Sequence, residues 1–175
     1  MTQTSRYNLV AAIYLNSRGF GHVLFEGPVA PLDWGAAEAR GKEKRETLLA
    51  RVDALFARYR PNVIVLQDMS ERGTHRPHRI RHLNEAIVEI AERNGFPVLF
   101  FSRANVRECF AYIGAVTKDT IAVAIAKHIP AFERFLPPRR KTWKSEDARM
   151  GIFDAAALAL TLFHAHGQSN PEIFQ

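Results

Sequence analysis

A run of apolar, mostly β-branched residues at positions 63–66 (VIVL) most constrains how this chain can fold. A strand without a polar face suits a position in a parallel sheet that is covered on both sides. The run comes directly after the clearest amphipathic helix of the sequence, residues 41–59, which Pro61 closes. A helix that leads into a buried strand in this way predicts an α/β domain.

The segments around this unit complete the outline. Residues 8–14 and 20–25 flank a polar turn and predict a hairpin, and Pro31 within residues 29–34 suits an edge strand. Alternation of strands and helices beyond residue 41 implies parallel pairing through helical crossovers. We therefore expect one soluble domain over residues 1–175, with a mixed sheet (N-terminal hairpin strands, then parallel strands) flanked by helices. The later elements are a strand at 97–101, helices at 79–93, 118–128 and 145–166, and a basic loop at 135–143.

Composition narrows the classes of function. No stretch is apolar for long enough to span a membrane, and the first residues lack the apolar run of a signal peptide. The single cysteine, Cys109, excludes an internal disulfide and favours a reducing, cytoplasmic location; we expect a buried thiol rather than a nucleophile. The net charge of +6 suits a polyanionic partner, above all nucleic acid, although a basic protein without such a partner would have the same charge.

Four segments together resemble the RuvC branch of the ribonuclease H-like superfamily, which contains Holliday-junction resolvases. They are AIYLNSRGFGHVLFE at the hairpin, RYRPNVIVLQD at the first helix and its strand, RANVRECFAYIGAVTKDTIAVAIAKHIP in the middle, and EDARMGIFDAAALALTLFHAH in the last helix. The resemblance implies a ribonuclease H-like fold and a nuclease whose carboxylates hold two Mg²⁺ ions. It also implies a nucleic-acid partner, with DNA favoured, and a homodimer.

The strands carry few of the acids that the resemblance implies. The first strand offers Tyr14, or Asn16 if the turn is shifted, and the central strand ends at Gln67 with Asp68 beside it. Neighbouring residues of a strand face opposite ways, so Asp68 replaces Gln67 only if the strand ends or bulges there. Asp68 is therefore either a metal ligand or an exposed turn acid.

The last helix carries the best match, Asp154, although Gly151 stands where a partner acid is implied one turn earlier. An acid in this apolar segment is either a ligand or a buried, paired carboxylate. Asp147 would share its helix face about 10 Å away along the axis, too far to share one ion. Asp147 and Glu146, after a Ser145 cap, also suit the first turn of a helix. The candidate catalytic residues are Asp68, Asp154 and Asp147, and the candidate magnesium ligands are Asp68 and Asp154.

Two basic clusters flank the expected site, one after Asp68 and one before the last helix. Lys and Arg side chains there would neutralise phosphates, unless both clusters are only solvated loops. Trp143 could stack on a base, but we expect it in the core. The candidate nucleic-acid-binding residues are Arg72, Arg76, Arg79, Arg139, Arg140, Lys141 and Lys144.

Three functions are consistent with these features. The lack of acids at Tyr14, Gln67 and Gly151 favours a RuvC-like protein that derives from a metal-dependent endonuclease and binds nucleic acid without cutting it. An active, magnesium-dependent, structure-selective endonuclease that uses Asp68 and Asp154, with a further acid such as Asp147 or Glu146, is the first alternative. An interaction protein that keeps the fold but does not bind nucleic acid is the second.

Overall fold

A five-stranded sheet forms the centre of the computed structural model, which describes residues 8–70 and 76–167. The strand order is β3-β2-β1-β4-β5. The first three strands of the chain pair antiparallel, and β1, β4 and β5 pair parallel. The mixed sheet predicted from the sequence is therefore confirmed. The strands are β1 (Val10–Leu15), β2 (Gly19–Phe25), β3 (Pro31–Glu38), β4 (Val63–Gln67) and β5 (Val98–Phe101).

Helices cover both faces of the sheet, so the molecule has three layers. Two helices, α1 (Lys44–Tyr59) and α2 (His78–Arg93), pack on one face. The other face carries α3 (Arg103–Ala111), α4 (Lys118–His128), a short 3₁₀ helix (Pro130–Phe135) and α5 (Met150–Ala165). Among the described residues, none of these helices combines the length and hydrophobicity needed to cross a membrane.

Alternation along the central strands divides the two cores and decides what faces the site. Ile13 and Leu15 of β1 pack toward α1 and α2, whereas Ala12 and Tyr14 pack toward α5. On β4, Val65 likewise faces the α5 side. The residues that end these strands on the α5 side therefore come together at one edge of the sheet.

The start of the last helix differs from the sequence expectation. Helix α5 begins at Met150, not at Ser145, and no side-chain cap closes its first turn. The reason is local: the Asp147 carboxylate accepts hydrogen bonds from the backbone N–H and the guanidinium of Arg149, which fixes a turn before the helix. Glu146 and Asp147 are therefore outside the helix rather than in its first turn.

Three further expectations can be compared with the structure. Strand β3 covers Pro31–Glu38 rather than residues 29–34. It begins at Pro31 because proline is tolerated as the first residue of an edge strand. Trp143 is 77% exposed, so its expected place in the core is wrong. Cys109 is buried, as expected, and burial raises the pKa of its thiol to about 11. Such a thiol is protonated and unreactive at neutral pH.

Two glycines let α5 lie directly on the sheet. A Cβ atom at Gly21 in β2 would stand 2.0 Å from the backbone carbonyl of Gly151 in α5. At Gly151, a Cβ atom would come within 3.3 Å of both the backbone nitrogen of Gly21 and Nδ2 of Asn16. This close approach brings the first turn of α5, and with it Asp154, to the ends of β1 and β4.

We predict that Gly21→Ala destabilises the fold by about 3 kcal/mol, because the added methyl group forces α5 away from β2. The matched control is Gly27→Ala, where an added Cβ meets no atom within 4 Å. Urea unfolding monitored by circular dichroism gives both values. Equal stability of the two variants would show that the helix does not depend on this contact.

Candidate functional site

Three positions at which the resemblance implies acids converge on one cavity. Tyr14 near the end of β1, Gln67 at the end of β4 and Asp154 in α5 all line a cavity of about 210 Å³. Both strands are parallel and neighbouring, so they end at the same edge of the sheet. Lys118, the first residue of α4, also lines this cavity. The three positions thus lie together, although only one of the three side chains is an acid.

A buried carboxylate and a lysine form the first half of the site. Nζ of Lys118 donates to Oδ2 of Asp154 at 3.0 Å and to Oε1 of Glu146 at 2.9 Å. Burial raises the pKa of Asp154 to about 6, and the ammonium of Lys118 partly offsets that rise. Burial alone would lower the pKa of Lys118, but the two carboxylates raise it above its ordinary value. At neutral pH, Lys118 is therefore charged and Asp154 is mostly ionised.

An arginine forms the second half of the site. Nη2 of Arg76 donates to Oε1 of Gln67 at 2.8 Å and to the hydroxyl of Tyr14. The ring of Tyr14 contacts both cations: the Arg76 guanidinium carbon and the Lys118 Nζ each lie 5.1 Å from its centroid. Contacts of this kind hold cations against an aromatic face. We call Tyr14, Gln67, Arg76, Lys118 and Asp154 the central cluster.

Asp68 lies outside the central cluster. Its side chain lines a different cavity with Arg81 and Asn84 of α2, and its Oδ1 accepts hydrogen bonds from the backbone N–H and the hydroxyl of Ser70. The backbone N–H of Asp68 still donates to the carbonyl of Phe101, so the hydrogen bonding between β4 and β5 continues one residue past Gln67. Alternation then keeps Asp68 on the α2 side of the sheet. The structure does not bring Asp68 together with Asp154.

Asp147 is also separate from Asp154, for a different reason. Because α5 begins at Met150, Asp147 does not share a helix face with Asp154, which corrects the sequence interpretation. Its carboxylate binds the guanidinium of Arg149, with Oδ2 2.7 Å from Nη2, and these hydrogen bonds lower its pKa. The acid that does reach the central cluster is its neighbour Glu146, through Lys118.

The basic loop before α5 lies beside the central cluster. It lines a cavity of about 420 Å³ together with Lys118, Glu146 and Asp147. Trp143 of the same loop is exposed, and Nζ of Lys141 lies 5.5 Å from the centroid of its ring. The exposed basic side chains of this cavity include the predicted binding residues Arg139, Arg140, Lys141 and Lys144.

The basic residues after β4 do not all lie together. Arg76 belongs to the central cluster, with its donors directed at protein oxygens. Burial lowers the pKa of Lys44, and the nearby charge of Arg79 lowers it further. The ammonium of Lys44 donates to the carbonyl of Ser17, between β1 and β2. Arg72 lies outside the described residues. The basic cluster after Asp68 is thus partly used in contacts within the protein.

Lys118 is the main site residue that analysis of individual residues missed. The signal was present in the sequence, since the third segment that resembles RuvC contains Lys118 at the start of a helical stretch. Its role depends on contacts with Glu146 and Asp154, which are 28 and 36 residues away along the chain. No local pattern reports such distant pairings.

Comparison with known proteins supports the fold. No protein-family model and no curated protein matches the sequence. A structure of Thermus thermophilus RuvC aligns with a TM-score of 0.64 and 20% identity, over 93% of this chain and 98% of the other. The same protein in complex with a Holliday junction substrate aligns with a TM-score of 0.66 and 19% identity, over 93% and 98%.

A third structure, the yeast mitochondrial Holliday junction resolvase Ydc2, aligns with a TM-score of 0.61 and 14% identity, over 91% of this chain and 79% of that chain. At such identities the likeness concerns the fold alone. The five-stranded mixed sheet of order β3-β2-β1-β4-β5, flanked by helices, is a ribonuclease H-like fold of the kind found in RuvC.

Proposed function

We propose that this protein binds nucleic acid, with branched DNA as the favoured ligand, and that it does so without a metal ion and without cutting the strand. The observation that carries the proposal is the central cluster. Arg76 binds Oε1 of Gln67 and Lys118 binds Oδ2 of Asp154, at the positions where the resemblance implies metal ligands. The fold supports the choice of ligand, because a RuvC structure of similar fold was solved with a Holliday junction substrate.

The residues of the central cluster do not fit the Mg²⁺ ions that the resemblance implies. Mg²⁺ requires several hard oxygen ligands, usually carboxylates. Here Asp154 is the one carboxylate of the central cluster, and both it and Glu146 bind Lys118. The described residues contain no group of three or more His, Cys, Asp or Glu side chains that could hold a metal ion. An added divalent ion would also be repelled by Lys118 and Arg76.

The same arrangement suits metal-free contact with a phosphate backbone. A cluster of unpaired carboxylates would repel phosphates, but two cations and two carboxylates leave this site close to neutral. The adjacent basic loop then supplies the attraction, since its Lys and Arg side chains are exposed and release counterions when they meet phosphates. Asp68 and Asp147 have no part in this proposal. The homodimer stays a prediction from the resemblance.

We predict tight, salt-sensitive binding of a labelled four-way DNA junction in EDTA, which Mg²⁺ or Mn²⁺ does not strengthen, and no cleavage in either metal. Duplex and single strands serve as comparison ligands, and fluorescence anisotropy and denaturing gels provide the readouts. The variant Arg139→Ala/Arg140→Ala should weaken binding and reduce the slope of log K against log salt by about 2. The charge-matched control is Arg45→Ala/Arg93→Ala, on the opposite face beside α1 and α2.

Two results would overturn this proposal. Metal-dependent cutting that Asp154→Asn abolishes would show an active nuclease with an unusual set of ligands. Failure to bind DNA or RNA of any form at low salt would instead point to an interaction protein that keeps the fold alone. Loss of binding in the Arg45→Ala/Arg93→Ala control, equal to the loss in the loop variant, would show a general charge effect rather than a defined surface.

We also predict that Lys118→Met destabilises the protein by about 3 kcal/mol at pH 8, because it leaves the buried carboxylate of Asp154 without a counter-charge. This value is at the lower end for a broken buried pair, since the Lys118 side chain is 33% exposed. Burial already raises the pKa of Asp154, and loss of Lys118 raises it further. An acid whose pKa is raised in the folded state lowers the stability of the fold as pH rises through that pKa. The destabilisation caused by Lys118→Met should therefore be smaller at pH 5 than at pH 8.

Urea unfolding at both pH values measures this effect. Lys127→Met, an exposed change in the same helix, is the control and should show no such dependence. The double variant Lys118→Met/Asp154→Asn should lose the pH dependence, because no ionisable group then remains at the buried position. A loss of stability in Lys118→Met that is equal at pH 5 and pH 8 would contradict the role assigned to the ion pair.

A further inference from the structure

The cavity beside the central cluster has an apolar wall that phosphate binding does not use. Val106 of α3, Ile121 of α4 and Leu158 of α5 line this wall, and Val116 lines the cavity while half exposed to solvent. An apolar cavity of about 150 Å³ is large enough to hold benzene. The volume of about 210 Å³ found here therefore accommodates a somewhat larger planar ring.

A buried amide in the same cavity lacks a hydrogen-bond partner. Gln67 is 2% exposed, and its Nε2 has no acceptor among the described residues. Arg76 has only donors, so it fixes the amide with Oε1 toward the guanidinium and leaves Nε2 as the free donor. A buried donor without a partner is costly, so a ligand that brings an acceptor to this wall is favoured.

Two arginines also line the cavity. Arg103 and Arg107 are four residues apart on α3, hence on one side of the helix, and both line the cavity. Helices α3 and α4 also begin here, at the cap residues Ser102 and Thr117, and the N-terminus of a helix favours an anion. A ligand for the whole cavity is thus a planar ring with acceptor atoms, attached to an anionic group.

We infer that this cavity holds one unstacked nucleobase of the bound nucleic acid, with the adjoining phosphate at Arg103 and Arg107. The ring fills the space between Val106, Ile121 and Leu158, and a ring acceptor takes the free N–H of Gln67. Extrusion of a base costs least where pairing is already disturbed, as at a branch point. This inference rests on the proposed function and adds to it a site for a single base.

The experiment places 2-aminopurine in turn at each position that flanks the branch point of a four-way junction. Its fluorescence rises when the base leaves the stack, so binding of the wild-type protein should raise the signal several-fold at one or a few of these positions. Anisotropy of an end label on the same junction measures total binding in the same sample. Both readings use the full chain.

A matched pair of variants tests whether the signal comes from this cavity. Val116→Phe adds bulk at a half-exposed residue that lines the cavity, whereas Val123→Phe makes the same change at a similarly exposed residue of α4 that does not. Val116→Phe should abolish the rise in fluorescence and weaken junction binding about tenfold, the loss expected for one base contact. Val123→Phe should match the wild-type protein in both readings.

The outcomes separate this inference from the proposed function. Normal junction binding without a fluorescence rise, or with a rise that Val116→Phe leaves unchanged, would overturn the base site and leave the function standing. If the junction does not bind, titration with free deoxyadenosine monophosphate decides. Binding of that nucleotide that Val116→Phe blocks would support the cavity as a site for a free nucleotide. Its absence would overturn both proposals.

Discussion

The ion pair between Lys118 and Asp154 is the interaction on which the arrangement of the site depends. Asp154 is the one acid of α5, a helix that is buried along almost its whole length. A carboxylate in that position has to be compensated, and Lys118 does so while it also binds Glu146 in the segment before α5. One ammonium group thereby connects α4, α5 and the end of the basic loop, and it sets one wall of the cavity.

The sheet adds a second constraint, which sorts the side chains at the ends of the strands. Alternation places Tyr14 and Gln67 on the α5 side, where Arg76 reaches both, and it leaves Asp68 beside α2. Neutral oxygens and protein cations therefore meet where the resemblance implies acids and metal ions. The fold brings these strand ends together, while the identity of a few side chains decides which contacts form there.

Much of the fold was predictable, because local patterns report it. The run at 63–66 predicts β4, and the segment 118–128, which ends before Pro130, predicts α4 with its observed bounds. Helix α3 was missed: only Cys109 and Phe110 are buried in it, which is too few for a clear amphipathic stripe, although Ser102 and Asn105 form a capping box.

The residues that line the cavity were only partly predictable from the sequence. The resemblance drew attention to Tyr14, Gln67 and Asp154, which line one cavity, yet the partners of these residues come from distant parts of the chain. The start of α5 was misjudged because the side chain of Asp147 binds Arg149 and competes with helix formation, a choice that propensity alone does not decide. Trp143 was misplaced because aromatic residues are usually buried, whereas this one lies on the basic loop.

The contact between Gly21 and Gly151 limits which side chains position 151 can accept. An acid at position 151 would have to fit its Cβ within 3.3 Å of the Gly21 backbone and of the Asn16 amide. The backbone of Gly21 cannot readily give way, because β2 is paired on both sides, with β1 and with β3. Any side chain at position 151 would thus require α5 to move away from β2 by a few tenths of an ångström. The close packing of this helix on the sheet therefore acts as a steric filter on the chemistry that position 151 can contribute to the cavity.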